Sequence, residues 1–212
     1  MNHGTILTDI EVRALPTPQP RRERIVQAIE KAAQVEQPVP VYLSMALPAT
    51  DLLTLAALPE DDIIRFYWEK PDEDFVLASF GSVLKFDFDS AVSRERTMHD
   101  MAMVLERSID GSPEPFTPGI LRVVGGFSFD LEAAENGTSH DGSSHWDGFP
   151  RGRYILPEVL VIQQHAQLSL TVIHLAKAED NTDSIAHALE RKIDDFRKKL
   201  SAEPPVGESP VL

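Results

Sequence analysis

The segment from Ile64 to Phe88 constrains the fold more than any other part of the chain. Ile64, Phe66 and Trp68 alternate with Arg65, Tyr67 and Glu69, and a period of two is the period of a half-buried strand. Lys70-Pro71-Asp72-Glu73-Asp74 reads as a turn. Phe75 to Phe80 then reads as a second, more continuously apolar strand. Gly81-Ser82 suits the centre of a two-residue hairpin turn, because glycine accepts positive φ. Leu84, Phe86 and Phe88 alternate with Lys85 and Asp87 to give a third strand. The expectation is an antiparallel meander with one face deeply buried.

The flanking segments read as helices and further strands. The alternate prolines Pro16, Pro18 and Pro20 favour an extended arm over residues 1–20. Ile25, Ala28, Ile29 and Ala32 recur at helical spacing within Arg21 to Gln37, and Pro38 ends that pattern. Val41 to Leu47 suits a short strand, and Leu52 to Ala57 a short helix. A helix is expected from Ser90 to Ile109, with Met98, Met101, Ala102, Leu105 and Ile109 along one face. Gly111 and Pro113 stop it. Leu121 to Phe129 reads as a strand in which Gly125-Gly126 marks a bulge or a close backbone approach. Glu132 to Ser144 reads as a polar loop. Tyr154 to Gln164 and Leu168 to Ala176 read as two strands joined through His165-Ala166-Gln167. The last helix starts at Thr182 or Asp183, with Ile185, Leu189, Ile193, Phe196 and Leu200 as its apolar stripe. Residues 201–212 hold three prolines and no periodicity, which suits a linker. Strands joined by tight turns, with helices at intervals and no βαβ alternation, predict a single α+β domain over 21–200. Its sheet should be mainly antiparallel, with flanking helices.

Composition narrows the function classes. The 212 residues carry a formal charge of −14, spread along the chain, so a phosphate backbone is a poor partner. The chain has no cysteine, which excludes disulfides and thiolate metal sites and suits a reducing compartment. Residues 1–5 lack the basic and apolar regions of a signal peptide. No apolar run approaches the ~20 residues of a membrane helix. A cytoplasmic protein that binds neither nucleic acid nor membrane is expected.

No catalytic constellation is complete. His140 and His145 flank Asp141, with Asp147 just beyond, but their spacing matches no helical ligand motif and a solvated loop explains them. His99, His165 and His174 read as ordinary boundary, turn or strand residues. Gly125-Gly126-Phe127 has neither dinucleotide-binding nor P-loop spacing and opens no helix. Ser128 sits in a strand rather than a nucleophile elbow. Adjacent acids such as Asp61-Asp62 and Asp194-Asp195 point apart, so they read as solvated charges. Arg191, Lys192, Arg197, Lys198 and Lys199 complement the dipole of the last helix. The aromatics, Phe66-Tyr67-Trp68 and Phe75 to Phe149, are interleaved with acids rather than bases. That composition suits core packing better than a stacking platform for nucleic acid.

Three segments, taken together, resemble the N-terminal region of isochorismate synthases. They are Arg65-Phe66-Tyr67-Trp68-Glu69 continuing through Phe75 to Gly81, then Val123-Val124-Gly125-Gly126-Phe127-Ser128-Phe129, then Trp146-Asp147-Gly148-Phe149-Pro150 with Tyr154-Ile155-Leu156-Pro157-Glu158. The resemblance covers roughly residues 40–176, and Glu132 to Ser144 is longer than the family's usual connection.

The resemblance implies magnesium-dependent conversion of chorismate to isochorismate, serving menaquinone, siderophore or salicylate synthesis. In that family a lysine is the general base, a glutamate the general acid, and further glutamates hold Mg2+. Those residues belong to a C-terminal chorismate-binding half. None of Lys31, Lys70, Lys85, Lys177, Lys192, Lys198 and Lys199 stands in the family's catalytic context, and no paired-glutamate magnesium motif is present. No residue here is therefore assigned a catalytic, cofactor or metal role. The first expectation is a non-catalytic N-terminal part, inactive without a chorismate-binding half in the same or a separate chain. The alternative is a stand-alone binding or regulatory domain derived from that family.

Overall fold

The computed structural model describes residues 18–48, 50, 52–53, 64–112, 121–127 and 150–201. The sequence readings for His140, Asp141, His145, Asp147, Ser128, Asp61-Asp62, the polar loop, most of the 52–57 helix and the last eleven residues lie outside that set. The first helix, α1, spans Pro18–Val35. It takes in Pro18 and Pro20, which the proline alternation placed in the extended arm. Proline is tolerated there because the N–H it lacks has no partner in a helix's first turn. Glu36 ends α1 with a φ of 53°, a left-handed stop.

Nine strands follow among the described residues: β1 (Val39–Leu47), β2 (Arg65–Lys70), β3 (Phe75–Phe80), β4 (Leu84–Phe88), β5 (Ile109–Asp110), β6 (Val124–Phe127), β7 (Gly152–Leu156), β8 (Val159–Gln164) and β9 (Gln167–Ala176). They form two sheets. The larger runs β2-β3-β8-β9-β1-β5 and the smaller β4-β7-β6. Every pairing is antiparallel except β1 with β5. The α+β class and the mainly antiparallel character therefore hold.

The expected meander does not. β3 and β4 do not pair, although Gly81 lies between them with a φ of 65°. Both edges of β3 are taken, by β2 and β8. The chain instead crosses at Gly81–Val83 from the large sheet to the small one. A second crossing runs beside it. Tyr154 to Gln164, read as one strand, breaks at Pro157-Glu158 into β7 and β8, one in each sheet. The β3–β8 ladder ends at Phe80↔Val159 and the β4–β7 ladder begins at Leu84↔Leu156. Between them Val83 N–H donates to the Leu156 carbonyl at 2.9 Å and Glu158 N–H to Phe80 at 3.2 Å. The arrangement is a pair of long antiparallel strands that bend together and switch sheets. Proline at 157 removes a ladder donor and glycine at 81 supplies the positive φ, so both residues mark the bend. A side chain at Gly81 would also press on Glu158.

Helices cover one face of the large sheet. The last helix, α3 (Thr182–Ser201), buries Ile185, Leu189, Ile193 and Phe196. With Ile25, Ala28 and Ala32 of α1 they pack on Val39, Val41, Leu170 and Val172. Each fully buried aliphatic side chain there contributes about 1.5–3 kcal/mol relative to exposure. Arg21 pairs with Glu190 at 2.9 Å and Arg22 with Asp183 at 2.6 Å, fixing α1 against α3.

The opposite face of the sheet meets the small sheet and the middle helix, α2 (Ala91–Arg107). Ser90 caps α2 reciprocally with Ser93: the Ser93 N–H donates to Ser90 Oγ at 3.1 Å and the Ser90 N–H to Ser93 Oγ at 2.9 Å. Only part of the expected apolar face is buried. Met101 is inside, as is Val104, which the expected stripe did not include; Met98 is 53 % exposed, and Ile109 has left the helix to form β5.

Candidate functional site

One face of α2 lines a groove of about 770 Å³. Met98, Met101, Ala102 and Leu105 form one wall. Their spacing is that of one helical face, so the sequence stripe is real but looks into the groove rather than into a closed core. The facing wall comes from the large sheet, where Phe66 and Trp68 of β2 lie beside Phe75 and Leu77 of β3. Trp68↔Leu77 and Phe66↔Ser79 are register partners, so alternate residues of both strands present the same face. The small sheet closes the third side with Arg122 to Gly125 and Tyr154.

Gly125 explains how the backbone enters this wall. Its register partner is Tyr154, and a β-carbon at Gly125 would run into the Arg153 carbonyl and the Tyr154 backbone. The expected close backbone approach is therefore present, and it needs glycine. Gly126 has open space instead.

The groove's chemistry is apolar with one cation. Trp68 meets Phe75 edge-on at 5.7 Å, and the Arg122 guanidinium lies 5.3 Å from the Phe75 ring centroid. Among the described lining residues Arg122 is the one charged side chain. Arg94 of α2 lies 5.9 Å from the Phe127 ring. Trp68 and Phe127 are each 50 % exposed, so the aromatic cluster is not wholly core, against the sequence reading. Ser79, on the same strand face as Leu77, is fully buried with no hydrogen-bond partner for its hydroxyl among the described residues.

The other candidates fall elsewhere. His99 is exposed on α2 rather than at a boundary, and His165 forms a turn. His174 is half-buried on β9, and burial and then Lys192 hold its imidazole below the ordinary range. Lys192 does more than complement a helix dipole. Its ammonium donates to the Ile173 carbonyl at 2.6 Å and pairs with Glu158 at 3.0 Å. Asp194 and Asp195 are exposed.

A second polar chain crosses the large sheet. Burial and the Asp110 carboxylate push the Tyr42 phenol up to about 12. Asp110 accepts from the Ser112 N–H at 2.8 Å, Ser112 Oγ accepts from the Ser44 N–H at 2.9 Å, and Ser44 Oγ lies 2.9 Å from Thr171 Oγ1. These contacts tie β5 to β1 and β9, and the chemistry is structural. Magnesium, which the family resemblance implies, needs several converging oxygens. Among the described residues no group of three or more histidine, aspartate or glutamate side chains converges to hold a metal ion. No helix among the described residues is long and apolar enough to cross a membrane.

A family model described as "chorismate binding enzyme" matches residues 27–211. No curated protein matches. Among solved structures the chain is similar to MenF, the menaquinone-specific isochorismate synthase from Escherichia coli, at 15 % identity and a TM-score of 0.46. The match covers 87 % of this chain and 36 % of that one.

Proposed function

The chain belongs to the chorismate binding enzyme family, and from that premise we propose that it is the non-catalytic, N-terminal-like part of an isochorismate synthase. It serves as a scaffold for a separate chorismate-binding half. The observation that carries this reading is the family match over residues 27–211, and the outer side of α2 exposes two apolar side chains. Val92 is 76 % and Met103 46 % exposed, and they lie about three helical turns apart on one side. Met98 and Leu105 face the groove while Met101 and Val104 are buried. Exposed Glu95, Arg96, His99 and Glu106 share that outer side, so a cover there meets both charged and apolar surface. Phe127, half-exposed beside Arg94, is a separate exposed aromatic on the edge strand β6, on a different side of α2.

The cover is the chorismate-binding half, which brings the lysine, the glutamates and the magnesium. The substrate is chorismate and the product isochorismate. Sedimentation of this chain with a separately produced chorismate-binding half tests the reading. A stable one-to-one complex is expected, and independent sedimentation of the two at tens of micromolar overturns it.

A further inference from the structure

From the outer edge of β4 we infer that two copies of this chain pair through it, strand against strand about a twofold axis, which joins their small sheets into one. β4 is a different surface from the outer side of α2, so the pairing stands independently of the scaffold reading.

The ladder within the small sheet decides which groups lie on that edge. β4 ends the order β4-β7-β6, and its inner partner is β7, from Leu84↔Leu156 to Phe88↔Gly152. The Leu156 carbonyl accepts from the Val83 N–H at 2.9 Å, so Leu156 turns its main-chain groups towards β4. Main-chain direction alternates along a strand. Tyr154 and Gly152 therefore turn the same way and Arg153 turns towards β6, where a β-carbon at Gly125 would meet its carbonyl. On β4 the partners Leu84, Phe86 and Phe88 face β7. The N–H and C=O groups of Lys85 and Asp87 face outward, and no main-chain group among the described residues pairs with them.

An unpaired edge is a template for another strand. The other edges suit one less well. β5 has two residues, β6 carries Gly125-Gly126, and Arg65 and Tyr67 of β2 are engaged in other contacts.

Charge selects a second copy as the partner. Outward residues must meet outward residues across an antiparallel pair. With Phe86 opposite the same residue of the second copy, Lys85 lies opposite Asp87 and Asp87 opposite Lys85. A slip of two residues either way sets lysine against lysine or aspartate against aspartate, which is destabilising. Both side chains are exposed on one face, and Asp87 is oriented by Arg153, whose Nε and Nη2 donate to it at 2.7 Å. On the opposite face the two Phe86 rings meet in the closely spaced, non-hydrogen-bonded pair. Phe86 is half-buried within one copy, which leaves ring surface for that contact. A five-residue strand pairing belongs with interfaces below about 1,200 Å², so the dimer should be reversible.

The test is sedimentation equilibrium of the full chain at roughly 10–500 µM, the range suited to a small interface. Salt at about 150 mM screens the repulsion between two chains of charge −14. Wild type should form a reversible dimer. Lys85→Glu, which sets acid against acid, should weaken it at least tenfold with an unchanged urea midpoint, and Lys85→Arg should keep it within about threefold. Lys85→Pro removes an outward N–H that β7 does not use and should also weaken the dimer at least tenfold. Amide exchange at Lys85 and Asp87 should slow as concentration rises, while that of Phe127 on the far edge stays unchanged. A monomer throughout, a dimer that Lys85→Glu leaves intact, or slowing confined to another edge would each overturn the proposal. So would a chorismate-binding half that dissolves the dimer while protecting the same two amides, because the edge would then belong to that half.

Discussion

The Lys192 ammonium of α3 reaches across to the Glu158 carboxylate at 3.0 Å, at the point where β7 ends and β8 begins. The same ammonium donates to the Ile173 carbonyl of β9 at 2.6 Å. Ile173 N–H in turn donates to the Glu158 carbonyl at 2.9 Å. One lysine thus fastens the last helix to the bend where the chain changes sheets. Its side chain is 15 % exposed and that of Glu158 43 %, so solvent screens the charge attraction in part. The hydrogen bond to the carbonyl is better protected.

Lys192→Met should therefore cost about 1–3 kcal/mol, the range for a lost hydrogen bond to a charged group. Urea denaturation is the measurement. Lys198→Met removes a 3.4 Å pair with Asp195 whose partners are 77 % and 55 % exposed, and it should change stability by less than about 0.5 kcal/mol. Equal effects would mean that the Lys192 contacts do not hold the bend.

The β8–β9 hairpin turns on His165 and Ala166, with φ of 48° and 62°. Both central residues are left-handed, as in the tightest two-residue hairpin turns, and neither is the asparagine or glycine such turns favour. The double substitution His165→Asn with Ala166→Gly should raise stability by about 1 kcal/mol, within the usual cost of a left-handed non-glycine residue. A lower urea midpoint would contradict this.

His174 predicts an acid-side loss of stability. Burial first, and then Lys192, disfavour its protonated form; Asp180 and Glu158 oppose them, and Arg191 adds the smallest contribution on the side of burial. The folded value lies below the ordinary 6.5, so below that pH the unfolded chain binds more protons than the folded one. Its contribution is intact above the unfolded value and is lost as pH falls through about 6.5 towards the folded value. Urea midpoints at pH 7.5 and 5.5 should differ more in wild type than in His174→Gln. An identical difference in both would exclude His174 as the source.

Val92→Glu and Met103→Glu should leave the fold within about 0.5 kcal/mol of wild type, since both side chains are largely in solvent. If the outer side of α2 is the docking surface, each should weaken association with a chorismate-binding half at least tenfold. Unchanged association in the double variant would place the docking surface elsewhere.

Local patterns carried the helices and most strands. The stripe of Ile185, Leu189, Ile193 and Phe196 is a 3.6 period and is buried as read. The turn at His165-Ala166 was legible from the apolar runs on each side. The division into two sheets was not. Leu84, Phe86 and Phe88 alternate in the same way whether β4 pairs with β3 or with β7, and the choice is settled by β8 occupying the far edge of β3. Pro157 was the available sign that Tyr154 to Gln164 is two strands. The groove was half legible. Met98, Met101, Ala102 and Leu105 read as an apolar face, but periodicity does not say whether the facing surface is packed or open. Arg122 gives no pattern at all, because its contact is with Phe75, which is distant in sequence.

The scaffold proposal has this chain supplying structure and a separate half supplying the chemistry. Its most direct test is an assay for isochorismate from chorismate with Mg2+, using this chain alone, a chorismate-binding half alone, and the two mixed. The chain alone should give no turnover, and adding it to the half should raise that half's rate. Turnover by the chain alone, or a half whose rate is unchanged by the chain, would contradict the account.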